Sequence, residues 1–134
     1  MCSIIVNITN NTGQGPITFN SFSFLNETGK KFSPDGPPFT VACSIPSNGT
    51  PLQALYSEGY IYGNPSYDGV YADGTAVFNM PNGDTLTIIW DLDPSSNDNK
   101  TPTFTPSSNA YNYAGISSPV INNGSDYVFN VAIS

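Results

Sequence analysis

The side chains able to do chemistry in this chain are carboxylates and tyrosines, because histidine and arginine are missing. The 134 residues include no His, no Arg, three Lys, ten acidic residues, two Cys and one Trp, for a formal net charge of −7. Without His there is no Ser-His-Asp or Cys-His nucleophile and no His-containing zinc or iron site. Without Arg there is no bidentate clamp on phosphate or carboxylate. The densest carboxylates lie in Asp91-Leu92-Asp93-Pro94-Ser95-Ser96-Asn97-Asp98-Asn99. Asp91, Asp93 and Asp98 are hard-oxygen candidates for Ca²⁺, although the spacing lacks the mid-loop Gly and terminal Glu of an EF-hand. Asp91 and Asp93, i and i+2 on a strand and so roughly 7 Å apart, also fall within the carboxylate separation of an inverting glycosidase. Both would sit on one surface rather than flank a sugar, so a solvated acidic loop is the reading preferred for this stretch.

Tyrosine is the other signal. Tyr56, Tyr60 and Tyr62 share one strand parity, and Tyr111 and Tyr113 share another. Buried core rings are one explanation. The other is that two such rows beside Trp90 form an amphipathic platform for a sugar face or a choline-type cation.

These residues must be positioned by strands. The stretch 74–94 contains two apolar runs, 75–80 and 85–90, joined by Pro81-Asn82-Gly83-Asp84, whose Pro and Asn-Gly are hairpin-turn residues. Leu86, Ile88 and Trp90 alternate with Thr85, Thr87 and Asp91, which predicts a half-buried strand with Ile89 as the exception. Ile4, Val6 and Ile8 define a first strand face, and Tyr127, Phe129, Val131 and Ile133 define a closing one. Over 17–25 the apolar parity slips at Asn20-Ser21, as a β-bulge produces. Residues 39–45 read as one strand that buries Val41 and Cys43 on a shared face. Residues 52–62 read as another strand, bent at Gly59, and 111–116 as a short one. Residues 98–108, polar and twice interrupted by Pro, read as a loop, and 122–125 as a turn.

No 3.6-residue apolar stripe stands out, and Gly, Pro and Asn punctuate the chain at short intervals. The expectation is an all-β protein, a single antiparallel β-sandwich domain over 1–134 with almost no helix. The charge argues against nucleic acid, whose phosphates need Lys and Arg in number, and against an anionic membrane surface. A membrane target would have to be neutral or zwitterionic. Met1-Cys2-Ser3 runs directly into Ile4-Ile5-Val6 without a basic region or long apolar run, so a cytoplasmic protein with reduced, unbridged Cys2 and Cys43 is expected.

Gly74-Thr75, Phe78, Gly83-Asp84, Trp90-Asp91 and Pro94, followed by an Asn-rich loop, resemble the Gly-Thr, Phe, Gly-Asp, Trp-Asp and Pro run of the aegerolysins. These are small acidic β-sandwich proteins similar in fold to actinoporins and made without a signal peptide. The strand over 4–8, the turn over 10–15, Gly29-Lys30 and the strand over 127–133 fall where that family has comparable features. The resemblance implies a non-enzymatic, cofactor-free protein, peripheral on the membrane when bound. Its ligands would be sphingolipids such as sphingomyelin or ceramide phosphoethanolamine, with a perforin-like partner in cytolytic or defence toxins. It implies a role in head-group choice for Asp73, which precedes Gly74-Thr75. Leu92-Asp93 stand where the family has one residue, Ser95 follows Pro94 where the family has a Trp, and Thr28 replaces the Trp before Gly-Lys. Asp73, Trp90, Asp91, Tyr60, Tyr62, Tyr111 and Tyr113 are therefore the candidate lipid- or glycan-binding residues, with a lectin on a related sandwich as the alternative.

Overall fold

A computed structural model describes residues 2–24, 39–59, 72–92, 100–122 and 126–134. They form an all-β sandwich of two sheets around one core, with no helix among the described residues. Eleven strands run in order: β1 (Cys2–Asn10), β2 (Ile17–Phe24), β3 (Phe39–Val41), β4 (Ser44–Ile45), β5 (Leu52–Gly59), β6 (Ala72–Asn79), β7 (Thr85–Leu92), β8 (Lys100–Pro106), β9 (Tyr113–Ala114), β10 (Val120–Asn122) and β11 (Asp126–Ile133). One sheet has the order β10-β11-β1-β5-β3, with β9 also on β11. The other has the order β4-β2-β6-β7-β8.

The alternating strands behave as their patterns require. Ile4, Val6 and Ile8 of β1 are buried, as are Tyr127, Phe129, Val131 and Ile133 of β11. These two strands pair in register, Ile4 with Tyr127, Val6 with Phe129 and Ile8 with Val131, so their apolar residues form continuous inner rows. That pairing is parallel, the one departure from the antiparallel expectation among the described strand pairs. Alternation alone does not distinguish the two arrangements, because both put every second side chain on the same face.

Bulges in β2 and β5 adjust the register, and a third shift lies between β7 and β8. The slip in β2 lies between Phe19 and Ser21, where the apolar parity breaks. A second bulge inserts Ala54 into β5, between the partners of Val6 and Asn7, and consecutive Ala54 and Leu55 are both buried. The β6–β7 hairpin closes over Pro81-Asn82-Gly83-Asp84. Met80 N–H donates to the Asp84 carbonyl at 2.8 Å, and Gly83 adopts φ +91°, a conformation that favours glycine.

Four expectations are corrected. Residues 39–45 are not one strand: β3 pairs with β5 in one sheet, and β4 pairs with β2 in the other. The chain changes sheets at Ala42-Cys43, as strands do at sandwich corners. Ala42 N–H bonds the Ala54 carbonyl and the Cys43 carbonyl accepts from Phe19. Cys43 is consequently an exposed free thiol rather than a core residue. Residues 100–106, expected within a loop, form edge strand β8, which pairs with β7. Its prolines are tolerated because β8 lies at the sheet edge and Pro102 sits at a register shift opposite Trp90. Residues 111–116 contribute only the two-residue β9.

Candidate binding site

The sandwich has two unlike ends. At one, short turns join the strands: 11–16, 46–51, 80–84 and 107–112. At the other, β2, β5, β7 and β10 finish and the chain continues through 25–38, 60–71, 93–99 and 123–125. Register fixes this grouping. Phe24 pairs with Gly74 and Gly74 with Trp90, while Gly59 pairs with Cys2 and Asn122 with Asp126. Loops that join strands at the end of a sandwich are where binding residues commonly lie.

The first end is tied together by side chains. Asn10 is buried; its amide donates to the carbonyls of Gly15 and Ile45, both at 3.0 Å, and its oxygen accepts from Thr12 N–H at 3.1 Å and Thr12 Oγ1 at 2.8 Å. The Tyr111 hydroxyl donates to Gln14 Oε1 at 2.6 Å and accepts from Asn82 N–H at 3.2 Å. Tyr113 meets Tyr111 edge-on, centroids 6.5 Å apart. The Asp84 carboxylate accepts from the Ser108 hydroxyl and from Asn82 Nδ2, and those two bonds hold its pKa below the ordinary value. Burial, and then the Asp84 charge, push the Tyr113 hydroxyl up.

At the second end the interior is aromatic. Trp90 projects inward from β7 and is 1% exposed. Its indole lies over cross-strand Gly74: a Cβ there would meet Trp90 Cζ2 at 2.6 Å and the Ser23 carbonyl at 2.9 Å. The Phe39 ring of β3 stacks on the indole at 6.3 Å with an interplanar angle of 12°. Phe39 lies 4.6 Å from Phe22, which lies 6.0 Å from Phe19. The cluster therefore connects two sheets and runs from the buried indole to Phe22, whose exposure is 46%. Beside it, Ser57 of β5 is the register partner of Phe39 and is fully buried. Ser57 Oγ and Trp90 Nε1 are buried polar atoms without a hydrogen-bond partner among the described residues.

The expected residues do not form one platform. Trp90 is a core residue, not part of an exposed aromatic row, because the inner face of β7 carries it between the sheets. Tyr111 is buried and Tyr113 half-buried, both at the opposite end of the sandwich from Trp90. Tyr60 and Tyr62 lie outside the described residues, and Tyr56 is half-buried on β5. Asp73 and Asp91 are register partners on β6 and β7, and Asp91 also pairs with Lys100 of β8. Asp93 and Asp98, the other Ca²⁺ candidates, lie outside the described residues, among which no group of three or more His, Cys, Asp or Glu is placed to hold a metal. The residues missed were Phe22, Phe39 and Ser57. The parity slip that places Phe22 inward was visible in sequence, but the stacking of Phe39 on Trp90 crosses between sheets and has no local signature.

No protein-family model matches the chain, and no curated protein is significantly similar to it.

Proposed function

We propose that the protein is a non-enzymatic, peripheral membrane-binding protein of the aegerolysin type. It recognises a sphingolipid of the sphingomyelin or ceramide phosphoethanolamine kind through the end of the sandwich that holds Trp90. The supporting observation is the aromatic cluster Trp90-Phe39-Phe22, which reaches solvent through Phe22. Phenylalanine at a protein surface suits the apolar side of a bilayer interface, and the chain's Tyr-rich segment 60–71 attaches at this end. The net charge of −7 selects neutral or zwitterionic lipid, because anionic bilayers repel it within a Debye length of roughly 8 Å at physiological salt. Residues 2–10 form strand β1, and membrane opening is assigned to a separate perforin-like partner.

Sedimentation with vesicles tests this. Binding to sphingomyelin or ceramide phosphoethanolamine vesicles, indifferent to added salt and without dye release by the protein alone, is the expected result. Preference for phosphatidylserine, or binding on a glycan array with none to vesicles, contradicts it; the latter outcome establishes the lectin alternative.

A further inference from the structure

Two buried polar atoms at the Trp90 end stand out. Ser57 Oγ and Trp90 Nε1 come from opposite sheets and flank the same residue, Phe39: Ser57 as its register partner, Trp90 stacked on its ring. A buried donor left without a partner is costly, so natural structures retain few of them. Here two occur on residues that adjoin the same ring, Phe39, one as its register partner and one stacked on it, within an aromatic cluster that reaches the surface.

We propose that Ser57 Oγ and Trp90 Nε1 form a concealed site for a neutral hydroxyl or amide carbonyl of the bound lipid, reached by displacement of Phe39. The chemistry of the pair sets the ligand group. Trp90 offers one N–H and Ser57 one hydroxyl that donates or accepts. The buried polar residues among those described are Ser3, Asn10 and Ser57, none of them cationic, so no described buried side chain compensates a phosphate or carboxylate. A neutral group does not carry that cost. Sphingolipids have an amide and a hydroxyl at the boundary between head group and chains, whereas phosphatidylcholine has esters and no free hydroxyl there. The surrounding Phe39 and Phe22 rings suit the adjoining apolar chain. Phe39 belongs to β3, a three-residue strand that ends the described order of its sheet. This assignment rests on the lipid-binding reading above and adds to it the group that is read.

Ser57→Ala tests the site, because it deletes the hydroxyl and almost no volume. In the free protein the melting temperature is expected to stay level or rise, since an unpartnered buried group is removed. Sphingomyelin vesicle binding is expected to weaken by about three- to tenfold, the loss of one hydrogen bond, with phosphatidylcholine binding unchanged. Emission from Trp90, the single Trp, should shift to the red when the wild-type protein binds sphingomyelin. A lowered melting temperature overturns the proposal, whatever the binding, because the hydroxyl would then already be satisfied in the free protein. Equal sphingomyelin binding by wild type and variant, or an unshifted emission, overturns it while leaving the lipid-binding reading standing. If the wild-type protein sediments with no vesicle, the lipid-binding reading itself fails and the site falls with it.

Discussion

The two ends of this sandwich solve the same structural problem in different ways. At the Asn10 end, polar side chains close the fold: Asn10, Gln14, Tyr111, Asn82, Asp84 and Ser108 find partners in one another or in the backbone. At the Trp90 end the closure is aromatic, and two buried polar atoms are left over. A hydrogen-bonded turn is fixed by geometry and has little left to offer a ligand. Stacked rings are less directional and can separate and re-form around something else. Under the proposed function, the first end serves stability and the second serves recognition.

The largest expected effect is at the glycine under the indole. Gly74→Ala places a methyl 2.6 Å from Trp90 Cζ2 and 2.9 Å from backbone at Ser23, so the ring must leave its place between the sheets. Overpacking of this kind costs about 1–3 kcal/mol, and chemical denaturation should find the upper part of that range, with a changed Trp emission. Asn10→Ala comes next. It strands the carbonyl of Ile45 in the interior and breaks the turn at Thr12, for a loss of about 1–3 kcal/mol in the same experiment. Vesicle binding by the folded variant should be unchanged, and a specific loss of binding would erase the distinction between the ends.

Tyr111→Phe removes one hydrogen bond to Gln14 and one from Asn82, and should cost about 1 kcal/mol. The smallest effects are in pH. Asp84 has a lowered pKa when folded, so the unfolded chain takes up its proton first as the pH falls. Its contribution is complete above the ordinary carboxylate range and is lost as the pH drops through the folded value; Asp84→Asn should flatten that part of the acid stability profile. Tyr113 has a raised pKa when folded, so its contribution is lost as the pH rises past the ordinary tyrosine value, and Tyr113→Phe should flatten the alkaline side.

Much of the sandwich was legible in the residues. Alternation marked β1, β7 and β11, the Asn-Gly turn marked the hairpin, and the parity slip at Asn20-Ser21 marked a bulge. What escaped was non-local. Strand β8 hid behind its prolines, because its edge position is set by pairing and not by its own sequence. Residues 39–45 divided between the sheets because the backbone partners of Ala42 and Cys43, at Ala54 and Phe19, lie far along the chain. The candidate site suffered most from this. Trp90 was recognisable as inward-facing by its parity with Leu86 and Ile88, yet its interface-loving chemistry suggested a surface role. Its stacking partner, Phe39, is set by the packing of one sheet on the other.

The assignment of recognition to the Trp90 end is tested most directly by comparing Phe22→Ser with Tyr113→Ser in one sphingomyelin vesicle sedimentation assay. Both remove a partly exposed ring, one from each end. The account predicts that Phe22→Ser weakens binding about tenfold or more while Tyr113→Ser binds as the wild-type protein does. Loss of binding by Tyr113→Ser with Phe22→Ser unaffected would place recognition at the hydrogen-bonded end and contradict it.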